Sequence, residues 1–132
     1  MDNLKTILIL DINCKEIYEV KAEDKTIIQI LFDGNASGDY FTGKVLPGGV
    51  DTQKGNPKDG TGKLSARYIL EGIDDAGEKC RIFIENEAEF GSSETFPTIV
   101  TDSKSLEWLN TAKLEGELIN DEAGLRIIIK AK

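Results

Sequence analysis

At 132 residues, 39% hydrophobic and 30% charged, the chain is long enough to close one core without metals or disulfides, and too apolar to stay disordered. Its formal net charge of -8 argues against a nucleic-acid phosphate backbone or an anionic membrane as main partner, since both ask for a basic surface. The absence of histidine removes the usual general base, the commonest transition-metal ligand and any Ser-His or Cys-His nucleophile pair.

The chain reads as a succession of short strands in one domain, residues 1–132. Leu4 to Cys14 is β-branched and apolar, with Leu8, Leu10, Ile12 and Cys14 on one parity. Ile17 to Lys21 predicts a second extended piece. Thr26 to Phe32 is apolar on both parities, as a well-buried strand would be. The composition of Asp33 to Asp39 predicts a turn. Tyr40 to Leu46 is the next strand, and Pro47-Gly48-Gly49 follows as a tight turn, proline presetting φ and glycine supplying positive φ.

Residues 51–62, DTQKGNPKDGTG, look like a loop. Lys63 to Glu71 and Lys79 to Asn86 alternate and face each other across the turn Ile73 to Glu78, which predicts an antiparallel hairpin. Its parity sends Tyr68, Leu70, Ile82 and Ile84 inward and Arg67 outward, unless a bulge re-aims it. Phe96 to Val100 is a short strand that Pro97 restricts to an edge or a strand start. Asp102 to Asn110 is the one expected helix. Lys113 to Asn120 and Leu125 to Ala131 form a last hairpin.

These elements predict an all-β antiparallel barrel of about eight or nine strands, closure being the way such a series removes its edges. No apolar stretch approaches the roughly 20 residues of a membrane helix. Thr6 to Leu10, cut off by Asp11, is too short for a secretory core, so the cytoplasm is the expected location. Cys14 and Cys80 are far apart and form no CxxC pair; both are expected to be reduced, apolar strand residues.

Several motifs dissolve on inspection. Gly38 to Lys44 fits G-x-x-x-x-G-K, but Val45 stands where Ser or Thr would hold magnesium, and a strand follows where a helix should. The acidic residues Asp74, Asp75, Glu78, Glu85, Glu87 and Glu89 lack the spacing of an oxygen-ligand loop and read as a solvated turn and strand face. No metal and no cofactor are expected.

Four residues carry the functional expectation. Asp51, just past the turn, is either a carboxylate at a barrel mouth or a turn residue capping backbone N–H groups. Arg67 is either a bidentate anion anchor or an exposed arginine paired with Glu85 or Glu71. Asn86 is the polar member of an apolar face and needs partners if that face lines the barrel. Trp108 either plugs one end or gives a pocket an aromatic wall.

Val45-Leu46-Pro47-Gly48-Gly49-Val50-Asp51, Asp59-Gly60, Leu64 to Leu70 with Ala66-Arg67-Tyr68, Ile82 to Asn86 and Glu107-Trp108-Leu109-Asn110 together resemble uncharacterised protein family 0311, from about residue 27 onwards. That resemblance implies a small lipocalin-like β-barrel with an interior cavity and no agreed activity. It singles out Asp51, Arg67 and Asn86. Three departures stand out: Thr52 where an aromatic commonly follows the Asp, a looser turn at Ile73 to Gly77, and Ala88 in place of a glycine.

The leading expectation is a barrel that binds a small, partly apolar molecule inside, with Asp51, Arg67, Asn86 and Trp108 at the site. It asks for an apolar cavity of roughly 300 Å³ or more. The alternatives are a cofactor-free enzyme, with Asp51 as base for proton transfer or hydrolysis, and a structural or partner-binding β domain, a homo-oligomer being one form of it.

Overall fold

The alternating run from Lys63 and its answering run from Lys79 do form a hairpin, and the rest of the molecule is built outward from it. In the computed structural model, which describes residues 4–132, these are β5 (Gly62–Asp74) and β6 (Lys79–Glu89). Their register runs unbroken from Lys63 opposite Glu89 to Ile73 opposite Lys79. No bulge re-aims any side chain, so parity alone decides what is inside. Tyr68, Leu70, Ile82 and Ile84 are buried, and Arg67 is exposed on the other face.

The other strands are β1 (Lys5–Lys21), β2 (Thr26–Ser37), β3 (Phe41–Val45), β4 (Val50–Gly55), β7 (Glu94–Thr101), β8 (Leu114–Asp121) and β9 (Gly124–Ala131). Every pairing is antiparallel. The circuit runs β1 to β2, then β3 and β4, then β5, β6, β7, β8, β9 and back to β1. The sheet thus closes into a barrel of eight staves, because β3 and β4 share one of them.

That shared stave corrects the expected tight turn. Both β3 and β4 pair with β2 on one side and β5 on the other, in the same direction. From Val45 to Val50 the chain advances five positions, while β5 advances three, from Leu70 to Arg67. Pro47-Gly48 is therefore a two-residue bulge within one stave and not a reversal of direction. Gly48 has φ of 110°, where a side chain would be strained. Backbone bonds from Leu46 N to Ile69 O (2.8 Å) and Phe32 N to Gly49 O (3.0 Å) tie its two ends. Two extra residues preserve the alternation, so Val45 and Asp51 both face inward.

The two pieces expected at 4–14 and 17–21 are one strand, β1, with a bulge between Cys14 and Glu16. Three more boundaries differ from expectation. Residues 51–55 belong to β4, not to a loop: their few apolar side chains hid a strand whose partners on both sides supply the ladder. β2 continues through Asp33-Gly34-Asn35, because Gly34 lets β1 approach so closely that a Cβ there would sit 2.0 Å from Asp11 O. The expected helix at 102–110 is only a 3-10 turn, Glu107–Asn110. Pro97 sits inside β7, where that strand pairs with β6 alone; pairing with β8 stops at Thr95.

The barrel has two unlike halves. Toward one end Ile7, Leu10, Phe41, Leu70, Ile82 and Ile99 fill the interior. Leu106 and Leu109 stopper that end, and each such side chain contributes about 1.5–3 kcal/mol by leaving water. Trp108, expected to plug or to wall a pocket, does neither. It is 39% exposed and meets the ring of Tyr40 edge-on at 5.8 Å. Asp74 pins the stopper: its carboxylate accepts from Ser103 Oγ (2.6 Å) and from the N–H groups of Ala76 and Glu78 (both 2.9 Å). Toward the other end β1 overshoots. Asn13 to Lys21 pair with β2 only, leaving one edge without a ladder among the described residues.

Candidate functional site

The inward parity of β4, β5 and β6 carries the polar groups of the unfilled half. Asp51 lies opposite Ala66, and Ala66 opposite Asn86, so the three form one row across adjacent strands. The small Ala66 leaves a notch between the carboxylate and the amide. One row deeper, Tyr68 stands opposite Ile84 and packs edge-on against Phe32, ring centres 5.3 Å apart. Thr95, from β7, completes the polar set.

Around these groups lies a cavity of about 200 Å³. Ile12, Ile30, Leu64, Leu118, Leu125 and Ile127 make most of its wall apolar. Cys14 and Asn120 are exposed at its mouth. The cavity is smaller than the roughly 300 Å³ of an ordinary ligand pocket and holds the equivalent of about seven waters at ~30 Å³ each.

Four residues that line this space each hold a buried oxygen with no hydrogen-bond partner: Asp51 Oδ1, Tyr68 Oη, Asn86 Oδ1 and Thr95 Oγ1. Tyr68, Asn86 and Thr95 are at most 4% exposed. Asp51 is half-buried and has one bond, from Gln53 Nε2 to Oδ2 at 3.0 Å. Burial pushes its carboxyl above the usual carboxylate range, and the Gln53 bond only partly offsets this. Burial also raises Tyr68, whose phenol stays protonated.

Asp51 and Asn86 are thus brought together, and Arg67 and Trp108 are not. Arg67 Nε lies 2.7 Å from Glu85 on the outer face, across the directly paired position. It borders a separate outer groove of about 560 Å³ with Lys54, Lys63 and Glu87. Tyr68 and Thr95 were missed as site residues. Tyr68 was legible as inward, but burial as core and burial against a cavity look alike in sequence. Cys14, expected among the apolar strand residues, is exposed, and both cysteines are free. Among the described residues, no group of three or more His, Cys, Asp or Glu is placed to hold a metal ion, and no helix is long and apolar enough to cross a membrane.

Residues 3–88 match the family described as "Protein of unknown function (DUF3237)". The chain belongs to that family. Its match takes in the shared β3–β4 stave, Asp51, Tyr68 and Asn86. A UPF0311 protein of Clostridium acetobutylicum is 48% identical over 56 residues, which is 42% of this chain and 32% of that protein. The match thus spans about a third of that relative's length. A crystal structure of a protein with unknown function from Clostridium acetobutylicum superposes with a TM-score of 0.77 at 25% identity, covering 98% of this chain and 97% of that one. A β-barrel-like protein of Acinetobacter baumannii gives 0.79 at 17% identity, over 98% and 94% of the two chains. An enzyme from Penicillium herquei gives 0.79 at 18%, over 98% and 92%. The last two likenesses speak to the fold alone.

Proposed function

We propose that this DUF3237 barrel works in the lipocalin manner, binding one small and largely apolar molecule in its open half. The observation that carries this reading is a mostly apolar cavity whose wall includes four residues with a buried, unpartnered oxygen. A buried polar group left unmet costs about 1–3 kcal/mol. Four of them weigh heavily against a total stability of about 5–15 kcal/mol. Water can meet such oxygens in a polar cavity. The apolar remainder of the wall gains only when a molecule with an apolar body takes the water's place.

Native mass spectrometry of freshly purified protein tests the proposal. A fraction with a discrete added mass, lost in Asn86→Leu or Tyr68→Phe, is expected. A uniformly unliganded protein whose melting temperature no member of a small-fragment library shifts would overturn it.

A second reading rests on Asp51 alone. A half-buried carboxylate on the cavity wall, raised by desolvation and with one oxygen unpartnered, is a candidate to take a proton from a bound substrate. In that reading Tyr68 and the Asn86 amide, not Arg67, supply donors to a developing oxyanion. The solved structure of a Penicillium herquei enzyme on the same fold is compatible with it.

A further inference from the structure

We infer that the molecule this cavity takes carries a protonated amine, with Asp51 as its counter-ion. The inference rests on the proposed binding function and adds the chemistry of the ligand's polar end.

Among the described residues, Asp51 is the only Asp, Glu, Lys or Arg side chain on the cavity wall. Its carboxylate takes one bond from a neutral amide and has no cation within salt-bridge distance among the described residues. A buried carboxylate without a cation is costly, and a cation brought by the ligand relieves that cost.

The other groups are compatible with the same partner. All four unpartnered atoms are oxygens able to accept a hydrogen bond, and the Tyr68 and Thr95 hydroxyls can donate as well. An ammonium offers three donors and no acceptor, which matches a carboxylate beside an amide oxygen and hydroxyls. Asp51 and Asn86 sit in one cross-strand row with only Ala66 between them. Phe32 and Tyr68 add aromatic rings to the same wall, and ring faces attract cations. A net charge of -8 favours the approach of cations and opposes anions. The apolar wall then sets the rest of the molecule: a short hydrocarbon or single aromatic ring, within about 200 Å³.

Three isosteric probes test this on the full chain at pH 7: benzylamine, benzyl alcohol and benzoate, by calorimetry with NMR shifts at Asn86 and Tyr68 as a second readout. Benzylamine is expected to bind at least tenfold tighter than benzyl alcohol, and benzoate not to bind. Asp51→Asn, which keeps the side-chain shape, should erase the preference for the amine while keeping the alcohol. Equal affinity for amine and alcohol, or a preference that survives Asp51→Asn, overturns the amine assignment and leaves the cavity reading standing. No binding and no shifts from any of the three overturns both.

Discussion

Two aspartates show how environment divides one side-chain chemistry. Asp51 is raised by burial, so folding resists its ionisation. Its folded value lies above its unfolded one; the carboxyl therefore costs no stability well below the ordinary value, and costs progressively more as pH rises through it. Asp51→Asn should thus raise the urea midpoint at pH 7, with the gain vanishing as pH falls below about 4, near the ordinary Asp value. Asp74 is the opposite case. The Ser103 hydroxyl and the Glu78 and Ala76 N–H groups hold its carboxyl below the usual range. It stabilises the fold above the ordinary carboxylate value and ceases to do so as pH falls through its own. Asp74→Asn should lower the melting temperature at pH 7 and lower it less at pH 3. A pH series of melts on both variants checks the two signs together.

At the scale of elements, the divided stave makes the sharpest prediction. Pro47 and Gly48 are the two residues by which β3–β4 exceeds its neighbours. Deleting both should leave a continuous strand with Asp51 still facing the cavity, and probe binding should survive. Deleting Gly48 alone leaves an odd count, which turns Asp51 outward or forces a new bulge; binding should be lost while circular dichroism still reports a β-fold. The stopper makes a contrasting case. Leu109 is 2% exposed at the filled end, so Leu109→Ala should cost about 2–5 kcal/mol in denaturant melts and leave the affinity of the cavity unchanged. Hairpin β5–β6 was legible in sequence because one buried and one exposed face impose strict alternation. β4 was not, because Gln53 and Asp51 are polar residues facing a cavity, where the inward side no longer has to be apolar. The same fact hid half the site. Asn86 stood out as a polar break in an apolar face; Tyr68 and Thr95 did not, since an aromatic or a threonine inside a strand normally means packing.

For the whole molecule, closure was legible and the division into a filled and an open half was not. Closure follows from counting alternating strands. The division depends on which staves overrun which, and that is a matter of register between residues far apart in sequence. Arg67 is a case in point: its outward parity was readable, yet only the unbroken β5–β6 ladder removes the bulge that could have re-aimed it. The overrun of β1 has a kinetic meaning. Asn13 to Lys21 hang from β2 alone, and Cys14 within them lies on the cavity wall. Segments held by a single ladder open at a lower free energy than the global transition. Amide exchange in Asn13 to Lys21 should therefore be faster than in β5 and β6, and a bound molecule should slow it. If that opening is the way out, a proline at Val20 would shorten the residence time of whatever the barrel holds while scarcely touching how tightly the closed form fits it.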